Sequence, residues 1–373
     1  MVVQSHQDQN EQGQEAPGLL NSSSVSQTRQ DLGALNSLIA HGLLNPVEFY
    51  TSIGPTLNEL TMGFLGPSFK PERDIVDLTG KVVFVTGGNT GLGKETVLQL
   101  GHHRPSVIYL AARNESKAHD AIASIKANLS SPVDIRYIPL DLASFKSIRV
   151  AAERFSSECD RLDILMLNAG TMGNPAGTTE EGHEIQFGTN HIGHFLLTKL
   201  LLPTLLKTAA SATPAPDVRV VTVSSVASTI SPPFDVMTST SALLAESTWH
   251  RYAASKAANI AFAAELARRY PQILSVSVHP GVVASDLYVT SSESRAIVRH
   301  GMAVLGPLVM RTVRSGALNQ LWAAGSKREL VTNGAYYTPV GVIHKNNKYA
   351  TDAELGRKLW EWTDAEVSGK EDS

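Results

Sequence analysis

Lys81-Val82-Val83-Phe84-Val85-Thr86-Gly87-Gly88-Asn89-Thr90-Gly91-Leu92-Gly93 decides how this 373-residue chain folds. The first five residues are a short, β-branched apolar run, the pattern of a buried strand. Four glycines follow within eight residues, and a helix is expected from about Lys94. A strand, a glycine-rich turn and a helix start together make a phosphate cradle. Glycines let the backbone turn tightly and come close to a pyrophosphate, while the free N–H groups of the helix end face the anion. The trio Gly87, Gly91 and Gly93 would mean little elsewhere. Here it sits directly between strand and helix, the context the motif requires.

Downstream the pattern alternates. Val107 to Ala112 reads as a second strand, Glu115 to Leu129 as a helix, and Val133 to Leu140 as a strand ending in Asp141-Leu142. A helix from Ser144 to about Ser157 and a strand from Leu162 to Leu167 come next, the latter ending in Asn168-Ala169-Gly170. This βαβαβ order predicts an α/β fold, a doubly wound parallel sheet of Rossmann type in a single domain. A long helix is expected from about Glu181 to Leu206, carrying Asn190, then a strand from Val218 to Val223 ending in Ser224-Ser225. After a loop rich in Ser, Thr and Pro comes a helix that runs through Leu266, then a strand from Ile273 to Val278 closed by His279-Pro280-Gly281. Residues 292–324 read as mostly helical, with apolar residues suited to packing on the sheet. A last strand is expected from Tyr336 to Val340. A final helix from about Asp352, capped by Thr351, would have Leu355, Leu359, Trp360 and Trp362 as its apolar side.

The end of the second strand in a dinucleotide fold faces the adenosine ribose. An acid there would accept from the ribose hydroxyls and repel a 2′-phosphate. This chain has Ala112 and then Arg113. A missing acid beside a guanidinium favours NADPH over NADH. The alternative is a surface arginine opening the next helix. On the later helix, Tyr252 and Lys256 are four apart and so lie on one face, about one turn from each other. A cation beside a phenol favours the phenolate, which makes Tyr252 a proton donor and acceptor near neutral pH, below its ordinary pKa of roughly 10.

Composition sets bounds. Hydrophobic residues make up 42% and charged residues 18%, as in globular chains with a substantial core. The formal net charge is −3 with no basic block, which argues against nucleic acid as a partner. A single cysteine, Cys159, excludes an intrachain disulfide and a cysteine-based metal site. His191 and His194 share a helix face, but with no carboxylate or cysteine partner in a fitting pattern they are expected to pack rather than bind metal. Residues 1–30 read as a disordered polar tail with no signal peptide, and 31–76 as a partly helical extension. The apolar residues of 32–65 either pack on the domain or form a peripheral membrane or substrate-entrance element. The main domain is expected over 77–345 and a C-terminal helix and tail over 346–373. No run reaches the length of a membrane span, so a cytoplasmic location is expected.

Taken in order, Thr86-Gly87-x-x-x-Gly91-x-Gly93, Asp141-Leu142, Asn168-Ala169-Gly170, Asn190, Ser225, Tyr252-x-x-x-Lys256 and Pro280-Gly281 resemble the motif set of the short-chain dehydrogenase/reductase superfamily, over roughly Asp77 to Val340. Asn190-His191-Ile192-Gly193-His194-Phe195 and Ala335-Tyr336-Tyr337-Thr338-Pro339-Val340 are similar to its retinol-dehydrogenase-like group, especially fungal members acting in secondary metabolism. The resemblance implies that Tyr252 protonates a substrate carbonyl while the nicotinamide supplies hydride. It implies that Lys256 holds the nicotinamide ribose, and that Ser225, rather than its neighbour Ser224, binds the same carbonyl oxygen. Asn190 is expected to hold a water leading from Lys256 to solvent. Thr86, Gly87, Asn89, Thr90, Gly91, Leu92 and Gly93 would line the cofactor's phosphates, and Arg113 its 2′-phosphate. Asp141 and Leu142 would touch adenine, while Asn168, Ala169, Gly170, Pro280, Gly281, Val283 and Ser285 would border the nicotinamide end. The loop from Ala227 to Thr248 is longer than in compact members and is expected to wall the substrate, and in this family the region over 292–324 is a substrate lid. The implied activity is NADP(H)-dependent interconversion of a hydrophobic ketone or aldehyde and its alcohol. The alternatives are a retinoid or lipid aldehyde reductase at a membrane surface and a non-catalytic NADP-binding regulator. A homodimer through the helices bearing Asn190 and Tyr252 is open.

Overall fold

The structure, a computed structural model, describes residues 68–211, 217–281, 283 and 312–369. The expectations for residues 1–65, for Ser285 and for most of 292–324 lie outside them. Eight strands form one sheet: β1 (Val82–Thr86), β2 (Val107–Ala112), β3 (Asp134–Pro139), β4 (Ile164–Leu167), β5 (Arg219–Val223), β6 (Leu274–Val278), β7 (Tyr336–Thr338) and β8 (Val342–Ile343). Their order is β3-β2-β1-β4-β5-β6-β7-β8. All neighbours are parallel except β7 and β8, an antiparallel edge pair that the sequence reading did not separate. The order reverses between β1 and β4, and such a reversal opens a crevice at the carboxyl ends of the strands.

Among the described residues seven longer helices flank the sheet: α1 (Gly91–Gly101), α2 (Glu115–Asn128), α3 (Phe145–Glu158), α4 (Gly193–Ala209), α5 (Thr248–Arg269), α6 (Val313–Gly325) and α7 (Ala353–Ser368). Successive strand residues serve opposite layers, because the side-chain period is two. Val82 and Phe84 face the layer of α3, α4 and α5, while Val83 and Val85 face α1, α2 and α6. Both faces of β1 are therefore buried, which is why it reads as an unbroken apolar run. Outside α4 and α5 lies α7, whose Trp360 stacks on Phe262, meets Phe195 edge-on and is covered by Arg269.

Two expectations are corrected. The helix read from Glu181 begins only at Ile185. Gly182 adopts φ +84° in a tight turn, and the Glu184 carboxylate caps Gln186 and Phe187. Gly188–Ile192 then form a π-helical turn before α4. The last helix is capped by Asp352 through Leu355 N–H; Thr351 instead ends a short helix, Lys348–Thr351. Within the extension a short helix runs over Pro71–Asp74, with Lys70 as its N-cap residue, after which Ile75 enters the core against Gly325.

Candidate active site

A cleft of about 950 Å³ lies across the carboxyl ends of β1 to β6. Its floor is the glycine turn. Gly87 and Gly91 have φ of +66° and +49°, the left-handed region open to glycine at little cost. Gly93 is needed for space: a Cβ there would stand 2.2 Å from the Gly87 carbonyl oxygen and 2.6 Å from Asn168 Nδ2. Thr86 and Asn168 tie the turn to the end of β4. The Thr86 hydroxyl accepts from the N–H groups of Asn168 and Ala169, both at 3.0 Å, and Asn168 Nδ2 donates to Thr86 O at 3.0 Å. Gln320 on α6 holds the other end of the Asn168 amide at 3.0 Å.

Along the β2 edge the cleft is lined by Arg113, Asn114 and Lys117, and along the β3 edge by Asp141 and Leu142. Asn114 caps α2 by accepting from Lys117 N–H at 2.8 Å. Among the described lining residues that are charged at neutral pH, Arg113, Lys117 and Lys256 are cations and Asp141 is the one carboxylate. Lys117 was missed in the sequence; its position four residues after Arg113 was the available signal.

At the α5 end of the cleft Tyr252 and Lys256 sit one turn apart, both buried. Lys256 Nζ is 5.6 Å from the centre of the Tyr252 ring and donates to the Val223 carbonyl at 3.0 Å. Burial pushes the Lys256 ammonium down to about 8. The two adjacent serines separate as strand neighbours do. Ser224 is buried with its hydroxyl on the Lys256 carbonyl at 2.6 Å, whereas Ser225 is partly open on the cleft and caps a 3₁₀ turn over Val226–Ile230. Tyr336 is buried close by, and desolvation together with the Tyr252 charge raises its phenol.

Asn190 stands just behind the lining, on the π-helical turn. Its Nδ2 donates to Thr171 O at 2.9 Å and Ser255 Oγ at 3.0 Å, and its Oδ1 accepts from Thr171 N–H at 2.7 Å. The side chain thus holds the chain after β4 against α5. Gly170 lets it approach Lys256, since a Cβ there would be 3.3 Å from Asn190 Oδ1 and 3.4 Å from Lys256 Nζ. The structure brings Thr86, Gly87, Asn89, Thr90, Gly91, Leu92, Gly93, Ala169, Pro280, Gly281 and Val283 to the same cleft. His191 and His194 are buried, and burial drives their imidazolium forms down to about 3 and about 4. Among the described residues no group of three or more His, Cys, Asp or Glu is placed to hold a metal ion.

Beyond Tyr252 the wall is apolar: Met172, Ile185, Val226, Ile230 and Trp249 face the cleft. Trp249 stands three residues before Tyr252 on the same helix face, a spacing that the sequence already displayed. Behind this wall Glu184 and Arg251, both fully buried, approach to 3.6 Å, and Arg251 Nη2 donates to Asn174 O at 2.9 Å.

A glycine cradle at a sheet switch point, followed by a serine and a paired tyrosine and lysine, defines a class of oxidoreductase acting on CH–OH and C=O groups, and the comparisons agree. The family model for short chain dehydrogenase matches residues 81–241, and the chain belongs to the short-chain dehydrogenase/reductase family. It is 42% identical over 297 residues to a short-chain dehydrogenase/reductase of Armillaria gallica, covering 79% of this chain and 92% of that one. It is 38% identical over 336 residues to retinol dehydrogenase 12 of Homo sapiens, covering 87% and 96%. These relatives place it in the retinol-dehydrogenase-like group. Among solved structures, an uncharacterised protein of Mycobacterium paratuberculosis superimposes with a TM-score of 0.58 at 27% identity, over 80% of this chain and 97% of that one.

Proposed function

We propose that the chain is an NADP(H)-dependent reductase of hydrophobic ketones or aldehydes, with Tyr252 as the general acid, serving secondary metabolism. The observation that carries it is the buried Tyr252–Lys256 pair beside Ser225 on a cleft with three cations and one carboxylate. The donor set fits a phosphorylated dinucleotide. The turn from Gly87 to Gly93 has the clearance and free N–H groups for a pyrophosphate. Arg113 and Lys117 would hold a 2′-phosphate, Asp141 and Leu142 the adenine, and Lys256 the nicotinamide ribose. Bound there, the cofactor supplies the hydride for carbonyl reduction.

The remaining work falls to the chain. Ser225 donates to the carbonyl oxygen and fixes its position. Tyr252 gives that oxygen its proton, and the adjacent Lys256 charge stabilises the phenolate left behind. Asn190 supports Lys256 from behind by fixing Thr171 and Ser255. Met172, Ile185, Ile230 and Trp249 exclude water around the carbonyl and favour an apolar body. No helix among the described residues is long and apolar enough to cross a membrane. A homodimer through α4 and α5 would have to form over α7, which already covers their outer face.

The test is NADPH oxidation by the purified protein with polycyclic aromatic ketones or quinones, and with long-chain or retinoid aldehydes, beside NADH and Tyr252→Phe. The expected result is NADPH-dependent turnover that Tyr252→Phe lowers by about a thousandfold or more. Unchanged turnover in Tyr252→Phe would sink the mechanism, and turnover with NADH alone would sink the cofactor assignment. The likeness to retinol dehydrogenase 12 makes aldehyde turnover the second reading, and the same panel separates it.

A further inference from the structure

His194 does not line the cleft, yet two segments of the site meet on it, the end of β1 at Thr86 and the π-helical turn at Asn190. Its Nδ1 lies 2.9 Å from the carbonyl oxygen of Asn190, and its Nε2 lies 2.9 Å from the Thr86 hydroxyl. The bond to Asn190 settles the proton inventory. A carbonyl only accepts, so Nδ1 must carry the hydrogen and neutral Nε2 must be the acceptor. The Thr86 hydroxyl therefore gives its one proton to Nε2 at 2.9 Å, with the Met166 carbonyl at 3.4 Å as the longer, weaker acceptor. Its lone pairs are left for the N–H groups of Asn168 and Ala169, both at 3.0 Å. Every member of the chain is satisfied, which is the condition under which a buried polar network fixes one geometry. The neighbouring Gly193 packs equally closely, since a Cβ there would fall 2.3 Å from the Leu142 carbonyl oxygen.

We propose that His194 is a positioning residue: a neutral, Nδ1-protonated imidazole that fastens the π-helical turn of Asn190 to the floor of the cofactor cleft through Thr86. One end of this clamp sets the glycine turn and the end of β4. The other sets the turn whose Asn190 side chain holds Thr171 and Ser255 next to Lys256. Burial keeps this imidazole neutral, and the Lys256 charge that faces it works in the same direction, against the pull of the Asn190 carbonyl. A histidine that only filled space would have no fixed tautomer and would be replaced without loss by an apolar side chain of similar size.

The binding and kinetic arms rest on the NADPH-dependent reductase reading above; the NMR arm does not. In the cofactor-free full chain, ¹⁵N-histidine NMR, assigned with His194→Gln, should show His194 neutral and protonated at Nδ1 from about pH 6 to about pH 8. A proton on Nε2, or titration within that range, overturns the proposal. NADPH binding, read by fluorescence titration, should weaken about tenfold in His194→Leu and in Thr86→Val. The double variant should be no weaker than either single one. Additive losses overturn the clamp. His194→Gln keeps an acceptor for Thr86 and loses the donor to Asn190, so NADPH affinity should stay within about threefold while kcat falls about tenfold. If Gln leaves kcat intact, the link to the Asn190 turn is refuted even where NADPH turnover itself is sound. Should His194→Leu not fold, the NMR and Gln arms still decide.

Discussion

At its β1–β2 end the cleft is made of backbone and cations. Gly87 and Gly91 hold conformations that a side chain strains, and Arg113 and Lys117 point charge at whatever lies above them. At its α5 end the cleft is made of apolar side chains on turns and helix faces, with Met172, Ile185, Ile230 and Trp249 around Tyr252. The first end is set by covalent geometry, where one added atom meets another main-chain atom. The second is set by shapes that can be exchanged at the cost of some buried area. The constant part of the reaction and its variable part are thus built from different material, and they should respond differently to change.

At the glycine end the largest effect is expected from Gly93→Ala. In a helix, replacing glycine by alanine contributes up to about 1 kcal/mol of stability. Against that stands a Cβ 2.2 Å from the Gly87 carbonyl oxygen, which forces main chain to move. Overpacking of this kind costs about 1–3 kcal/mol and wins over propensity. Affinity for NADPH should fall roughly tenfold to a hundredfold, read by isothermal titration. Gly91→Ala meets no atom within 4 Å and pays only for its φ of +49°, so its loss should be clearly smaller. Equal losses would show that conformation, not clearance, governs this end.

The joint between the two ends is Lys256, and pH should expose it. Its ammonium is held down to about 8 by burial, against 10.5 for the ordinary group. Between those values the unfolded chain binds the proton and the folded chain does not. Stability on this account is lowest below about pH 8 and rises from there toward 10.5, by on the order of 3 kcal/mol. Activity should run the other way. The charge that favours the Tyr252 phenolate is lost above about 8, so kcat/KM for NADPH in carbonyl reduction should drop about tenfold per pH unit there. Denaturant unfolding and the rate profile, measured together, check the opposite signs. A Lys256→Met chain should lose the stability rise. Parallel changes in both measurements would remove Lys256 as the common cause.

The same division explains what the sequence could disclose. The glycine turn, the strand ends at Asp141 and Asn168, and the Tyr252–Lys256 face are local patterns, readable from spacing alone, and the structure puts them in one cleft. The π-helical turn at Gly188–Ile192 was not readable, because one extra residue in a helical run leaves the apolar period almost unchanged. Glu184 read as one more helical residue until its carboxylate was seen capping Gln186 and Phe187. Asp352 and Thr351 are equally able caps in sequence, and only the short helix ending at Thr351 separates them. The apolar wall is nonlocal: Met172 and Ile230 come from two separate connections and Trp249 from the first turn of α5, and no window of sequence holds them together.

The smallest effect is expected at that wall. Trp249 lies one helical turn before Tyr252 and offers its indole to the substrate side of the cleft, without a part in the proton path. Trp249→Ala removes apolar and stacking contact worth roughly 1–2 kcal/mol to a flat aromatic ketone, and much less to a short aliphatic one. For the aromatic substrate KM should rise about tenfold with kcat nearly unchanged, because the contact is made equally before and during reaction. NADPH affinity should not move. A fall in kcat with both substrates would mean that Trp249 positions Tyr252 itself. In that case the α5 end shares the rigidity of the glycine end, and substrate preference must be written elsewhere in the cleft.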